Sequence, residues 1–383
     1  MQYFAFATDY DGTLASEGIV APETVNALQR LKATGRLLVL VTGRELGELR
    51  EVFNDLELFD RVVAENGALV YDPAKSEERL LSGGAPDALV RELKRRKVSP
   101  LSVGHVIVAT REPNDMVVLE VIRELGLEMQ VVFNKGAVMV LPSGINKATG
   151  LTAALHELGV SPHNVVGIGD AENDHAFLEV CEFSVAVAGA LPQLKDRVDY
   201  VTKQDSGNGV TEVIGRLIED DLARLKPQKA RRQLLLGHTV RGQEIAIPTL
   251  GPNVLLVGSS GGGKSTLAKT LIERISDQAY QYCVVDPEGD YEGFEDAVVF
   301  GNRSRVPTTD EVLQVLADNR QNVAVNLLGV ALTERPAAFA ELLTALHAMR
   351  SRKGKAPLVD RRRGPPCVAQ RPSIGRTDVA DAA

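Results

Sequence analysis

The 383-residue chain reads as an α/β protein with two tandem parallel-sheet domains. Three observations carry that reading. Apolar runs of strand length alternate with segments of helical periodicity, the pattern of a parallel sheet covered by helices. Three of those runs, residues 3–7, 36–41 and 164–169, each lead to a polar residue at the carboxyl end, namely Asp9, Thr42 and Asp170. A glycine-rich loop, residues 258–266, follows a further apolar run at 254–257 and opens another helical segment. Ligands of open α/β sheets bind at the carboxyl ends of the strands, so chemistry is expected at these points.

Composition bounds the function. The length exceeds a typical single core, so two or three domains are expected. A net charge of −8 gives no bulk reason to expect nucleic-acid binding, and 25% charged residues beside 44% hydrophobic ones suit a globular chain. Cys181, Cys283 and Cys367 are odd in number, far apart and without ligand spacing, which argues against a disulfide framework or zinc site and fits a reducing compartment. The start of the chain lacks a basic and apolar leader, and no run reaches membrane-spanning length. A cytoplasmic protein with no membrane partner is the expectation.

Taken in order, residues 3–7 form a buried strand that delivers Asp9-Tyr10-Asp11-Gly12-Thr13-Leu14 onto a loop. Side chains at i and i+2 leave an extended backbone on the same side, which aims Asp9 and Asp11 at one point. Two crowded carboxylates repel unless a cation or shared proton intervenes. The alternative is a plain turn, since Asp and Gly favour turns. Residues 22–34 then read as a helix closed by Gly35, and 36–41 as a strand ending in Thr42-Gly43-Arg44. A helix at 45–55, a strand at 61–64 and a turn at Glu65-Asn66-Gly67-Ala68 follow. From about 72 to 142 the register changes to a small α+β insertion. It comprises a helix at 85–97, a strand at 102–109, a helix at 114–125 and strands at 129–133 and 137–141. Lys147 opens the next helix. The strand at 164–169 delivers Asp170, with Asn173 and Asp174 close behind, and the last core strands are expected at 184–188 and 200–202.

Singly, Thr42 reads as a strand-end hydroxyl, Lys147 as a solvated lysine, and Asp170 or Asp174 as a helix cap. Together, in the order DYDGTL, VTGR, NKATGL and GIGDAENDHAFL, the motifs resemble the haloacid dehalogenase superfamily, specifically its Cof-like phosphatases with a cap of the C2 type. The resemblance covers residues 1–216, with core 1–71 and 143–216 and cap 72–142. It implies a Rossmann-like core in which Asp9 attacks phosphorus and Asp11 acts as acid and base. It implies Mg²⁺ held by the Asp9 carboxylate, the Asp11 main-chain carbonyl and Asp170, with Asp174 beside it. Thr42 and Lys147 would stabilise the phosphoryl oxygens, with Asn173 at the phosphate and Gly12 and Gly43 allowing tight turns there. A compact cap suits a small substrate, a sugar phosphate or a phosphoglycolate-like acid. Asn134 and Lys135 either face that substrate or form a plain polar turn.

The basic stretch 226–232 closes a linker, 217–232, and reads as solvated rather than as a nucleic-acid site. Residues 234–247 suggest a hairpin around Arg241-Gly242-Gln243, leading to a buried strand at 254–257. The loop that follows satisfies the P-loop pattern, in which backbone N–H groups wrap phosphates, Lys264 reaches the terminal ones and Ser265 coordinates magnesium. Gly258, Gly261, Gly263 and Thr266 complete the nucleotide-binding set for ATP. A strand at 282–285 ends in Asp286-Pro287-Glu288-Gly289-Asp290-Tyr291, and with the P-loop this resembles HerA/FtsK-type ATPases over about 233–355. A strand at 322–328 and a helix at 337–350 continue that domain.

The family's following strand, which ends in Asp-Glu, does not appear. Residues 357–383 read as an irregular basic tail, as an arm for a phosphate backbone, or as a frameshifted end. Dropping one nucleotide near Pro357 permits His-Trp-Leu-Ile-Val-Asp-Glu-Ala-His-His, the missing strand, which would make the ATPase domain truncated. The chain therefore reads as a phosphatase with a nucleotide-binding domain at 233–356. The alternative is an ATP-driven motor or switch whose first half is accessory.

Overall fold

The computed structural model describes residues 1–225, 233–249, 254–259, 261–291, 293, 296–318, 321–353 and 358–361. The basic stretch 226–232, Ser260 and most of the expected tail lie outside them. Two compact units result, one drawn from Met1–Leu267 together with 349–353 and one from Ala268–Ala348 together with 358–361.

The first unit begins with β1 (Ala5–Thr8), whose four residues are all buried. Helix α1 (Pro22–Ala33) starts on a proline, buries Ala27, Leu28 and Leu31 at helical spacing, and stops before Gly35 at φ +86°. β2 (Leu37–Val41), the short α2 (Leu46–Val52) and β3 (Arg61–Ala64) follow. β4 (Leu69–Asp72) and β5 (Glu77–Leu80) then continue the same sheet antiparallel. The core sheet therefore runs on to Leu80, beyond the expected boundary at 71. The exposed, charged Glu77, Glu78 and Arg79 mark β5 as an edge strand and conceal it from an apolar-run reading.

The inserted cap comprises α3 (Asp87–Arg95), β6 (Ser102–Val103), β7 (Val108–Arg111), α4 (Asp115–Glu124), β8 (Met129–Asn134) and β9 (Ala137–Pro142). Its antiparallel sheet has the order β6-β7-β9-β8. The single strand expected at 102–109 is thus two strands joined by a turn. Alternation along β9 sends Val140 into a cluster with Leu89, Leu93, Val118 and Val121 of the helices. Met139 and Leu141 point the other way, into a cluster shared with Ala68 of the core.

The core resumes with α5 (Lys147–Leu158), β10 (Val165–Gly169), α6 (His175–Val180), β11 (Phe183–Ala186), α7 (Pro192–Lys195), β12 (Tyr200–Val201) and α8 (Ser206–Asp220). The finished sheet has the order β12-β11-β10-β1-β2-β3-β4-β5, with parallel pairing from β12 to β3. β1 lies between β10 and β2, and strands covered on both faces read as continuous apolar runs. Gly67, at φ +102°, fits where a Cβ would fall 1.9 Å from the Asn146 carbonyl oxygen, so the turn after β3 lies directly on the start of α5.

β13 (Gln233–His238) and β14 (Glu244–Pro248) form the expected hairpin. The strand expected at 254–257 does not form: the segment is irregular, and Leu255 is 85% exposed. An apolar run becomes a buried strand only where its backbone finds a ladder, and this one pairs with nothing among the described residues. Helix α9 (Lys264–Asp277) follows the glycine loop. The second unit contains β15 (Tyr282–Asp286), β16 (Ala297–Phe300), α10 (Thr309–Leu316), β17 (Asn322–Asn326), α11 (Arg335–Lys353) and β18 (Leu358–Arg361). Its parallel sheet has the order β16-β17-β15-β18, with β15 buried along its whole length. The stretch expected to be irregular from 357 thus begins with a strand, because Leu358-Val359 can extend the ladder beside β15. Among the described residues, no helix is long and apolar enough to cross a membrane.

Candidate active site

The register of the central strands brings the site together. Thr8 lies level with Ile168 on β10 and with Leu40 on β2, so Asp9, Asp170 and Thr42 leave the same edge of the sheet. Lys147 arrives from the other direction, at the first position of α5. That helix start is fixed by a capping box. Asn146 accepts the N–H groups of Ala148 and Thr149 at 2.9 and 3.0 Å, and Thr149 accepts that of Asn146 at 2.9 Å. A cation at a helix N-terminus opposes the helix dipole, so carboxylates must hold it there.

Those carboxylates are Asp9 and Asp174. Lys147 Nζ lies 2.5 Å from Asp9 Oδ1 and 2.6 Å from Asp174 Oδ1, and its side chain is 1% exposed. Burial alone would lower the Lys147 pKa, but Asp174 and Asp9 outweigh it and hold it above the usual lysine value. Burial pushes the Asp9 carboxyl well above its ordinary range; Asp174 adds to the shift and Lys147 opposes it. Asp170 is raised by burial as well, with the hydrogen bond from Lys135 acting against it.

Asp174 has a second task. Its Oδ2 accepts the backbone N–H groups of Asp170 and Ala171 at 2.8 and 2.9 Å, which closes the loop that aims Asp170. Thr13 Oγ1 donates to Asp170 Oδ1 at 3.0 Å, and Lys135 forms an ion pair with Asp170 Oδ2. Asp9, Asp170 and Asp174 each bring a carboxylate oxygen within 4.8 Å of the others. Hard oxygen donors crowded in this way suit a magnesium-sized cation.

The other expected residues stand as follows. The Asp11 side chain is turned to Arg44, whose Nε and Nη2 each donate to it at 2.7 Å. Thr42 is fully buried, and its Oγ1 accepts the Arg44 N–H at 3.1 Å while keeping its own proton to donate. Gly12, at φ +84°, lies where a Cβ would come 2.5 Å from Asp170 Oδ2 and 2.7 Å from Lys135 Nζ. A Cβ on Gly43 would stand 3.6 Å from both Asn173 Nδ2 and Met139 Sδ. Asn173 donates to Asn66 Oδ1 at 3.0 Å, and its own Oδ1 is buried with no hydrogen-bond partner among the described residues.

Two residues, Arg44 and Glu65, escape the sequence reading, and the structure decides between two readings of a third, Lys135. Arg44 is visible beside Thr42, but nothing in spacing shows that it grips Asp11. Glu65, read as part of a turn, is fully buried and binds the backbone of the cap. Lys135 is not confined to a plain polar turn, since it reaches the core at Asp170.

In the glycine loop, Gly261 and Gly263 have φ of +76° and +78°. Lys264 Nζ donates to the Ser259 carbonyl at 2.6 Å, which folds the loop on itself. Gly258, Ser265 and Thr266 are exposed around it. In the second unit, Asp286 accepts the N–H groups of Glu288, Gly289 and Tyr291 at 3.1, 2.9 and 2.9 Å, so this acid builds the turn after β15.

A parallel α/β core with an acidic cluster at its strand ends and an α+β cap inserted after β5 defines a capped hydrolase of the Rossmann-like class. Residues 6–98 and 106–214 match the haloacid dehalogenase-like hydrolases, and the chain belongs to that family. It is 30% identical over 223 residues to a phosphoglycolate phosphatase of Methanothermobacter thermautotrophicus, covering 56% of this chain and 98% of the relative. It is 27% identical over 224 residues to phosphoglycolate phosphatase 2 of Saccharolobus solfataricus, covering 57% and 94%. Among solved structures, a haloacid dehalogenase-like hydrolase from Bacteroides thetaiotaomicron aligns at 21% identity with a TM-score of 0.48, covering 56% of this chain and 99% of that one. Residues 245–343 match the central domain of helicase HerA.

Proposed function

We propose that residues 1–216 form a magnesium-dependent phosphatase that hydrolyses a small phosphorylated metabolite through an aspartyl phosphate, and that the P-loop domain binds ATP. The observation that carries this reading is Asp9, buried at the end of the central strand, paired with Lys147 and grouped with Asp170 and Asp174. The two relatives named as phosphoglycolate phosphatases support a small phosphorylated acid; a sugar phosphate is the neighbouring choice.

An Asp9 carboxylate oxygen attacks phosphorus, and the bond to the leaving oxygen breaks. Asp11 gives that oxygen its proton, then takes one from the water that attacks the aspartyl phosphate, releasing phosphate and the Asp9 carboxylate. Asp11 must first leave its two-point pair with Arg44. Lys147, Thr42 and Asn173 supply donors to the non-bridging oxygens, whose charge phosphoryl transfer spreads among them. Magnesium held by Asp9 and Asp170, with Asp174 beside them, would supply further charge neutralisation at those oxygens.

A second reading, an ATP-driven HerA-like motor or switch with an accessory hydrolase, is favoured by the match at 245–343. Lys264 would exchange the Ser259 carbonyl for phosphate oxygens when nucleotide binds. Release of phosphate from p-nitrophenyl phosphate separates the two. Magnesium-dependent release that is lost in Asp9→Asn and kept in Lys264→Ala supports the phosphatase. Absence of release from the wild-type chain, or release that survives Asp9→Asn, sinks it.

A further inference from the structure

We propose that Lys135 selects substrates with a second anionic group beside the phosphoryl group, so that monoesters of small acids are preferred over those of neutral alcohols. The proposal rests on the phosphatase reading above and sharpens its substrate.

Lys135 stands at the tip of the hairpin between β8 and β9, with φ of +47° at Lys135 and +81° at Gly136. This turn projects a cap cation over the loop that carries Asp9 and Asp11. Its Nζ pairs with Asp170 and lies 2.7 Å from where a Cβ on Gly12 would stand. The cap lysine thus reaches the acidic cluster at Asp170.

The balance of charge says what it can do there. Three carboxylates, Asp9, Asp170 and Asp174, face two ammonium groups, Lys147 and Lys135. Lys147 is buried and committed to Asp9 and Asp174. Lys135 is 48% exposed and is held at this cluster through Asp170. A cation bound by Asp170 competes for that carboxylate, and Lys135 is then left beside the phosphoryl site with a positive charge to satisfy. A substrate anion attached near the phosphate meets that need. A neutral leaving group offers it only the phosphoryl oxygens, for which Lys147, Thr42 and Asn173 already supply donors.

The surroundings limit the rest of the leaving group. β8 packs against the turn at Glu172–Asp174. Met139 and Asn173 both approach Gly43 closely enough to stand 3.6 Å from a Cβ there. The Oδ1 atoms of Asn134 and Asn173 are buried with no hydrogen-bond partners among the described residues, as acceptors suited to a hydroxyl or water. A short anionic leaving group satisfies Lys135 without displacing this wall.

The test uses the full chain with saturating magnesium and two probes of similar size, 2-phosphoglycolate and ethyl phosphate, which differ in having a carboxylate or a methyl group. The wild type should favour phosphoglycolate by roughly 10- to 100-fold in kcat/KM, the range expected for one charge-assisted contact. In Lys135→Met that ratio should collapse towards one, mainly through KM for phosphoglycolate, and Lys135→Arg should restore most of it. Calorimetry in the Asp9→Asn background reads binding apart from turnover, and Lys135→Met should weaken phosphoglycolate by at least roughly tenfold there. Equal losses for both probes, or no wild-type preference, overturn the proposal while leaving the phosphatase reading intact. A wild type that releases phosphate from neither probe nor from p-nitrophenyl phosphate overturns both.

Discussion

Glu65 holds one side-chain oxygen 2.8 Å from the backbone nitrogen of Val106 and 3.0 Å from that of Ile107. Its other oxygen accepts the His105 N–H at 2.9 Å. A fully buried carboxylate on the turn after β3 thus grips three successive N–H groups of the cap. The same turn reaches the acidic cluster through Asn66 and Asn173. Cap position and site geometry therefore share one anchor.

Glu65→Ala should detach that anchor. It leaves buried N–H groups without an acceptor, at a cost of about 1–3 kcal/mol for each that water does not reach. The denaturation midpoint should fall, and KM should rise as the cap loses its seat. Glu65→Gln keeps one carbonyl oxygen and should lose less. An unchanged midpoint in Glu65→Ala would show that the contact holds nothing.

Asp9→Asn and Asp11→Asn should separate the two carboxylates by size of effect. Losing a nucleophile should cost on the order of 10⁴-fold or more in kcat. Losing an acid and base should cost roughly 10²- to 10⁴-fold. Trapping labelled phosphate on acid-quenched protein distinguishes them further. Asp11→Asn should still form the aspartyl phosphate from an activated ester, and Asp9→Asn should form none. Label retained by Asp9→Asn would remove it from the nucleophile's role.

What was legible in the sequence depended on how local the cause was. β1, β2 and β10 are covered on both faces, so each is a plain apolar run, and the parallel register then carries Asp9, Thr42 and Asp170 to one edge. Lys147 was legible through the helix it opens. Glu65 and the cap backbone are about forty residues apart, and a turn residue does not reveal its distant partner. Arg44 looks like an ordinary cation, and Lys135 reads equally as substrate-facing or as a turn residue, until the folded chain sets them against Asp11 and Asp170. The run at 254–257 misled for the opposite reason: apolar character is local, but a ladder partner is not.

Magnesium should stabilise the first unit as well as activate it. A ligand at about 100 times its Kd contributes about 2.7 kcal/mol to the folded state. The melting temperature should rise with magnesium and return on adding chelator. Asp170→Asn removes one charge from the Asp9, Asp170 and Asp174 cluster and should shift that response to higher metal concentration. Identical magnesium titrations for Asp170→Asn and wild type would place the cation elsewhere.

The P-loop should bind ATP and turn it over poorly. β18 runs parallel to β15, with Val285 level with Arg361. Asp360 on β18 is followed by Arg361, Arg362 and Arg363, and the Asp-Glu that closes the corresponding strand in the HerA/FtsK pattern does not appear in this frame. Nucleotide hydrolysis needs acids that organise the metal and the attacking water, and one acid beside an arginine does not supply that pair. Binding of a fluorescent ATP analogue should therefore depend on Lys264, while hydrolysis stays far below the roughly 10 s⁻¹ of a typical enzyme. A brisk ATPase lost in Lys264→Ala would refute this and restore the motor reading. A gene whose reading frame is shifted near Pro357 to encode Ile-Val-Asp-Glu should gain turnover, because that shift supplies, in place of the arginine run, the acidic pair the chemistry requires.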